Sequence, residues 1–209
     1  EQRKVPMFQS FEMSNMEQEA RYDAMRALIS HQRLLTGTLT SEEEARYKKI
    51  LEGLEKIDHK FWLVDSAAGA TVSGIASKIQ TLQPDIVFID GVYLMVDEQS
   101  GEANTPQALT NITRGLKRLA QRFDKPIVIS TQVLTWKMKK GNVTADSIGY
   151  SSSFFQDADI ILGLQREDEA VEDTRLLKVV ASRNSGSAEA TLEWQWSEGR
   201  FREMDATDL

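Results

Sequence analysis

An α/β fold on a largely parallel sheet, with antiparallel strands toward the C-terminal end, is predicted by three features of the sequence. Short apolar runs alternate with longer stretches of helical spacing, the pattern of strands linked by crossover helices. Two of the runs, "DIVFID" and "PIVIST", are nearly continuous, as expected of strands buried on both faces. Further on the period changes. "TRLLKVVAS" and "ATLEWQW" follow one another through "RNSGSAE" as a hairpin whose second arm sets Leu192, Trp194 and Trp196 on one side.

The elements follow in order from the N-terminal end. "VPMFQSF" reads as a buried strand, and Ser14-Asn15-Met16-Glu17 as a capping box opening a helix that carries Met16, Ala20, Ala24, Leu28 and Leu35. A second box, Ser41 to Glu44, opens a helix carrying Ala45, Ile50, Leu51 and Leu54, after which "FWLVD" is a short strand. A helix with Val72, Ile75, Ile79 and Leu82 ends at Pro84, where "DIVFID" begins. Thr105-Pro106 caps and starts the next helix, with Leu109, Ile112, Leu116, Leu119, Ala120 and Phe123 on one face. After "PIVIST", the stretch "WKMKKGNVTADSIGYSSS" has no long apolar period and reads as an extended loop, and "DADIILGL" as a strand. The expected order is β-α-α-β-α-β-α-β-β-β-β, without internal repeat or linker.

A chain of 209 residues with 41% hydrophobic content can bury one continuous core. No apolar run reaches the roughly 18 residues of a membrane span, and "EQRKVPMFQSFEMS" lacks the pattern of a signal peptide, so a cytoplasmic protein without membrane partners is expected. With no cysteine, disulfides and thiolate metal sites are excluded, and two isolated histidines, His31 and His59, argue against a structural zinc site. Any metal should be held by oxygen. The net charge of -7 argues against a broad basic face for duplex DNA and leaves room for a local basic groove.

Ligands of a parallel sheet bind at the C-terminal ends of its strands. The residues placed there are Glu12, Asp90, Thr131 and Gln132, and the segment ahead of Asp157 and Asp159. The set suits nucleotide hydrolysis, in which one carboxylate orients water, an aspartate after an apolar strand serves the magnesium shell, and a polar residue senses the γ-phosphate. Each also has a structural reading: Glu12 as a turn residue, Asp90 as a cap for the Gly91 turn, Gln132 as a loop hydrogen-bonder.

Taken together the motifs resemble DnaB-type replicative helicases. "FQSFEMS" is similar to that family's "FFSLEMS", "DIVFIDGVYLM" to its "LIVIDYLQLM", and "LLTGTLTSEEEARY" to its "LRTGRLSDEEWERL". "IVISTQVL" looks like the strand ending in its Thr-Gln or Ser-Gln sensor, and "FFQDADIILGLQR" like its "IEQDADVVLFLYR". The resemblance runs in order from about Val5 to Gly186, and "IGYSSSFFQDAD" brings the chain nearer to phage-encoded members. It implies a RecA-like three-layer α/β/α fold, ATP and Mg²⁺, single-stranded or forked DNA, a hexamer of identical chains, and a bacterial or phage-infected cell. It also implies roles. Glu12 would be the catalytic glutamate, Asp90 the Walker B aspartate, Gln132 the sensor coupled to the DNA-binding loops, and Arg183 the finger that reaches a neighbour's nucleotide.

The chain departs from the family pattern at four places. It contains no G-x-x-x-x-G-K-[ST], whose backbone N–H groups and lysine grip phosphates. In the family that loop precedes the "EMS" strand, so residues 1–209 are expected to form a single RecA-like domain without its first strand, phosphate loop and first helix. Tyr93 stands where the family carries Gln, and Gly91 where it carries a bulkier residue. In "ASRNSG", Ser182 precedes Arg183 and an extra Ser185 precedes the glycine, against Lys-x-Arg-Asn-Gly in the family.

The stretch "TWKMKKGN" sets Lys137, Lys139 and Lys140 beside Trp136 in an otherwise acidic chain, and cations with an aromatic suit a single nucleic-acid strand. The alternative is a solvated basic loop with Trp136 folded onto the core. Two further functions compete with the helicase motor. In one, Glu12, Asp90 and Asp159 hold Mg²⁺ or Mn²⁺ for phosphodiester cleavage, as a nuclease. In the other, the fold persists as a DNA-binding scaffold without catalysis.

Overall fold

The computed structural model describes residues 3–58, 60–65, 69–133, 153–166 and 173–204. Two compact units are formed. The first comprises Glu1–Asn15, His59–Ile161 and Val180–Gly186, and the second Met16–Asp58, Leu162–Val179 and Ser187–Leu209.

The first unit is built on a four-stranded sheet in the order β2-β1-β3-β4, formed by β1 (Pro6–Ser10), β2 (Trp62–Val64), β3 (Ile86–Asp90) and β4 (Ile127–Ile129). Every pairing in it is parallel. Because parallel neighbours need crossovers, α4 (Val72–Leu82) and α5 (Pro106–Phe123) link successive strands. Their ends are written in the sequence. Thr71 and Thr105 cap α4 and α5 by accepting from the backbone of Gly74 and Ala108, Pro106 starts α5, and Gln83 and Asp124 close the two helices in the left-handed region. The expected face of α5 is the observed one, with Leu109, Ile112, Leu116 and Leu119 buried.

The core of this unit joins Met7, Ile75, Ile79, Val87, Ile89, Val92, Met95, Ile112 and Leu116. Each such side chain contributes about 1.5–3 kcal/mol by leaving water, and truncating Ile89 or Ile112 to Ala would cost about 2–5 kcal/mol. "PIVIST" is parallel as expected but lies at the end of the sheet rather than inside it, and Val128 is 46% exposed. Its apolar run resembled that of a strand buried on both faces, yet among the described residues the face that carries Val128 is left open.

In the second unit, α1 (Asn15–Ala27), α2 (His31–Thr36) and α3 (Ser41–Leu54) enclose a small core of Ala24, Ala27 and Ile29 with Leu34, Leu39, Tyr47 and Ile50. The single helix expected from Met16 to Leu35 is two. Leu28 turns into the left-handed region (φ 52°), and Ser30 accepts from Arg33 as the cap of α2. Met16 and Leu35 are therefore exposed rather than part of one apolar stripe. α3 begins one residue earlier than expected, on a complete capping box of Thr40 with Glu43.

A second four-stranded sheet follows the order β5-β6-β7-β8, with β5 (Ile160–Arg166), β6 (Thr174–Ser182), β7 (Glu189–Gln195) and β8 (Arg200–Glu203). β6 and β7 form the expected antiparallel hairpin, and Trp194 and Trp196 stack at 3.7 Å as their alternation predicts. β8, which pairs antiparallel with β7, and the short α6 (Ser153–Asp157) were not foreseen. α6 starts at the last residue of the stretch expected to be an extended loop. The architecture is thus an α/β fold with a parallel sheet and antiparallel C-terminal strands.

Candidate functional site at the strand ends

Parallel register brings the chemistry to one sheet edge. Ser10 lies opposite Asp90, and Ile89 opposite Ile129, so β1, β3 and β4 end side by side. Hydrogen bonds carry the pairing past the strand ends: Phe11 N donates to Asp90 O at 2.6 Å, and Val92 N donates to Ser130 O at 3.0 Å. The turn after β1 is fixed when Ser10 Oγ, fully buried, accepts from Met13 N at 2.9 Å. Glu12 sits on that turn and is exposed.

β3 ends on Asp90, whose carboxylate accepts from Ser130 Oγ at 2.5 Å. The chain then makes a 3₁₀ turn, Val92–Leu94, held down by the buried side chains of Val92 and Met95. The turn lifts Tyr93 toward its neighbours. Its hydroxyl donates to Glu12 Oε2 at 2.6 Å and accepts from Gln132 Nε2 at 3.0 Å. Three of the residues expected at the sheet edge, Glu12, Asp90 and Gln132, thus follow adjacent strands there, and Tyr93 bridges two of them. The Tyr93 phenol is pushed up to about 12, first by its hydrogen bond to the Glu12 carboxylate and then by burial, with the bond from Gln132 acting the other way. It remains protonated at any physiological pH, and so remains the donor to Glu12.

Sequence reasoning noted Tyr93 and Gly91 only as departures, and missed Ser130. The signal for Ser130 was available: a hydroxyl directly after an apolar strand, one strand over from an aspartate that ends the next.

Asp159 and Arg183 belong to another cluster of the same unit. Arg183 follows β6, and its guanidinium donates to Ala158 O at 3.1 Å and to Gln156 O, while its Nε lies 3.6 Å from Asp159. Lys117 of α5 grips both Asp159 oxygens at 2.7 and 2.5 Å, which holds that carboxyl below the usual carboxylate range. Asp157 accepts from Thr113 at 2.7 Å and fastens α6 to α5. Asp159 is thus committed to two cations. Among the described residues no group of three or more histidine or acidic side chains is arranged to hold a metal ion, so Glu12, Asp90 and Asp159 are not brought together as a three-carboxylate centre. Trp136, Lys137, Lys139 and Lys140 lie outside the described residues.

The donor set at the sheet edge is all oxygen, which fits a hard divalent cation that keeps most of its waters. Among the described residues no helix is long and apolar enough to cross a membrane.

Comparison with known proteins bears on the fold and the family. The chain is 28% identical over 192 residues to a probable replicative DNA helicase of Trieres chinensis, covering 83% of this chain and 41% of that protein. It is 25% identical over 194 residues to the replicative DNA helicase DnaB of Geobacillus stearothermophilus, covering 88% of this chain and 42% of that protein. The chain therefore spans about two-fifths of the length of these curated relatives. Among solved structures, a DnaB-like replicative helicase described with its interactions with primase superposes with a TM-score of 0.85 at 20% identity, over 97% of this chain and 51% of that one. A solved ATPase domain superposes with a TM-score of 0.83 at 22% identity, over 97% of this chain and 75% of that one. At these identities the superpositions establish the fold. Residues 1–203 match the family model of the DnaB-like helicase C-terminal domain, and the chain belongs to that family.

Proposed function

We propose that the chain is the greater part of an ATP-driven motor domain acting on single-stranded or forked DNA during replication, within a ring of identical subunits. The observation that carries this reading is the placement of Glu12, Asp90 and Gln132 at the C-terminal ends of three adjacent parallel strands of a DnaB-like domain. Glu12, exposed at the edge, is positioned to orient a water for attack on the γ-phosphate, and Gln132, on the end of β4, to register whether that phosphate is present. Asp90, steadied by Ser130, would hold Mg²⁺ through water. When bound, the ion offsets the charge that develops on the phosphate oxygens.

Arg183 is the candidate finger. Its guanidinium lies on the carbonyls of Gln156 and Ala158, and it must leave them to meet a neighbouring subunit's nucleotide. In this reading the phosphate loop, absent from residues 1–209, is contributed by preceding sequence. No observation favours the nuclease or the scaffold.

The test is ATP turnover with and without single-stranded DNA, made on residues 1–209 and on the chain extended N-terminally through a phosphate loop. The short form should turn over poorly, because the backbone cradle for the phosphates is missing. The extended form should be stimulated by DNA, and Glu12→Gln should abolish turnover by about 10²-fold or more while nucleotide binding persists. Robust turnover by the short form would overturn the assignment of the phosphate loop, and none by either form would overturn the motor.

A further inference from the structure

We propose that Gly91 and Tyr93 form one coupled feature, in which the glycine makes room for the tyrosine ring and Tyr93 acts as a positioning residue tying Gln132 to Glu12. The inference rests on the motor reading for the roles of Glu12 and Gln132, and on geometry for the link itself.

The φ of Gly91, -122°, lies outside the left-handed region that favours glycine. The constraint on a side chain there is steric. A Cβ built on Gly91 would fall 3.0 Å from Tyr93 Cδ1 and 3.1 Å from Cζ, and closer still to Cε1. The ring therefore occupies the volume a side chain at 91 would fill. The two departures from the family pattern in "DGVYLM" are one change seen twice.

The placement has a chemical consequence. A phenol carries one proton and accepts through its lone pairs, so it donates to one group while receiving from another. Here the proton goes to Glu12 Oε2 at 2.6 Å, and the lone pair takes a hydrogen from Gln132 Nε2 at 3.0 Å. The chain Gln132 to Tyr93 to Glu12 is directional, and each bond polarises the next. One oxygen of Glu12 is thereby anchored, and the other is left to orient a water. When Gln132 turns to a γ-phosphate, the phenol loses its donor and the Glu12 bond changes with it. Phenylalanine would fill the same volume and carry no link. The charged groups acting on the phenol are Glu12, which it touches, and Asp90, whose charge also raises its titration.

The test begins on residues 1–209 with ring-labelled tyrosine followed by NMR through alkaline pH. Tyr93→Phe assigns the signal among Tyr22, Tyr47, Tyr93 and Tyr150. The Tyr93 phenol should titrate far above the ordinary range near 10, and Glu12→Gln should bring it down toward that range, because the carboxylate is the main cause. Gln132→Leu should move it up. Gly91→Ala should displace the ring and abolish the elevation, and it should lower the thermal midpoint in the parent but not in a Tyr93→Gln background. A phenol that titrates normally, or that ignores both Glu12→Gln and Gly91→Ala, overturns the link.

The second arm uses the ATP-hydrolysing form. Tyr93→Phe should lower kcat by roughly ten- to a hundredfold with KM for ATP unchanged, the mark of a misplaced group rather than weakened binding. If Glu12→Gln stops turnover and Tyr93→Phe does not alter kcat, the positioning role is overturned. If no form hydrolyses ATP, the motor reading falls, and the titration still decides whether the bridge exists.

Discussion

Asp97 shows how much one carboxylate can organise. It is 4% exposed, at the turn beyond the 3₁₀ segment, and accepts from Asn111 Nδ2 at 2.9 Å, Ser100 Oγ at 2.8 Å and the backbone of Gln99 and Ser100. These donors, Asn111 first, hold its carboxyl below the usual carboxylate range. The sign follows from linkage: a group with a depressed folded pKa stabilises the fold above its unfolded value, and that contribution disappears as pH falls through the folded value. Thermal unfolding should therefore show a midpoint that drops below about pH 4, and Asp97→Asn should flatten that acid limb. Asp85 has the same sign, because Val5 N donates to it and Lys4 and Lys125 lie beside it, so the flattening should be partial. An acid limb unchanged in the variant would show that Asp97 titrates alike folded and unfolded. At this scale Glu12, Asp90 and Gln132 were legible because each directly follows an apolar run, which marks a strand end without any knowledge of tertiary contacts. Tyr93 was not. Its partner Glu12 lies 81 positions away, and the bond depends on a ring occupying volume left by a glycine, which no local pattern encodes.

Elements were read well where a local rule decides them, and less well where packing does. Thr105 caps α5 ahead of Pro106 as expected, and β6 runs from Thr174 to Ser182 as its apolar run suggested, whereas α3 is capped by Thr40 in place of Ser41. The stretch from Met16 to Leu35 keeps helical spacing through a break, because Ala24, Ala27 and Ile29 enter the core while the backbone turns at the exposed Leu28. β8, "RFRE", carries too few apolar residues to announce itself and exists by pairing with β7. Gly115 is another packing decision. It lies inside α5, where glycine costs about 1 kcal/mol relative to alanine, yet a Cβ there would meet both methyls of Val72 at 3.0 Å. Overpacking typically costs about 1–3 kcal/mol. Gly115→Ala should therefore destabilise by about 1 kcal/mol net, and pairing it with Val72→Ala should recover part of the loss. Denaturant unfolding of the two single variants and the double closes the cycle. Effects that add within about 0.5 kcal/mol would mean the helices do not meet through this pair.

For the whole molecule, charge poses a question that the fold alone does not answer: how a chain of net charge -7 would engage the polyanion on which the proposed motor acts. At physiological ionic strength charges farther apart than about 8 Å are largely screened, so a local group of cations can attract phosphate despite an acidic surround. Lys137, Lys139 and Lys140, beside Trp136 and a few residues beyond Gln132, the proposed sensor, are the densest such group in the stretch after β4. If they contact a single strand, each phosphate contact contributes about 0.7 to the dependence of log affinity on log salt, and Trp136 adds base stacking of about 1–3 kcal/mol. Changing the three lysines together to Ala should then weaken binding and reduce the slope by up to about 2. Trp136→Ala should weaken binding with the slope unchanged, because stacking releases no counterions. The measurement is a salt titration of affinity for a labelled oligonucleotide, made on the parent and both variants. A slope preserved in the triple variant would place the DNA elsewhere on the molecule, and a slope lowered by Trp136→Ala would show that the change had disturbed the lysines rather than removed a stacking partner.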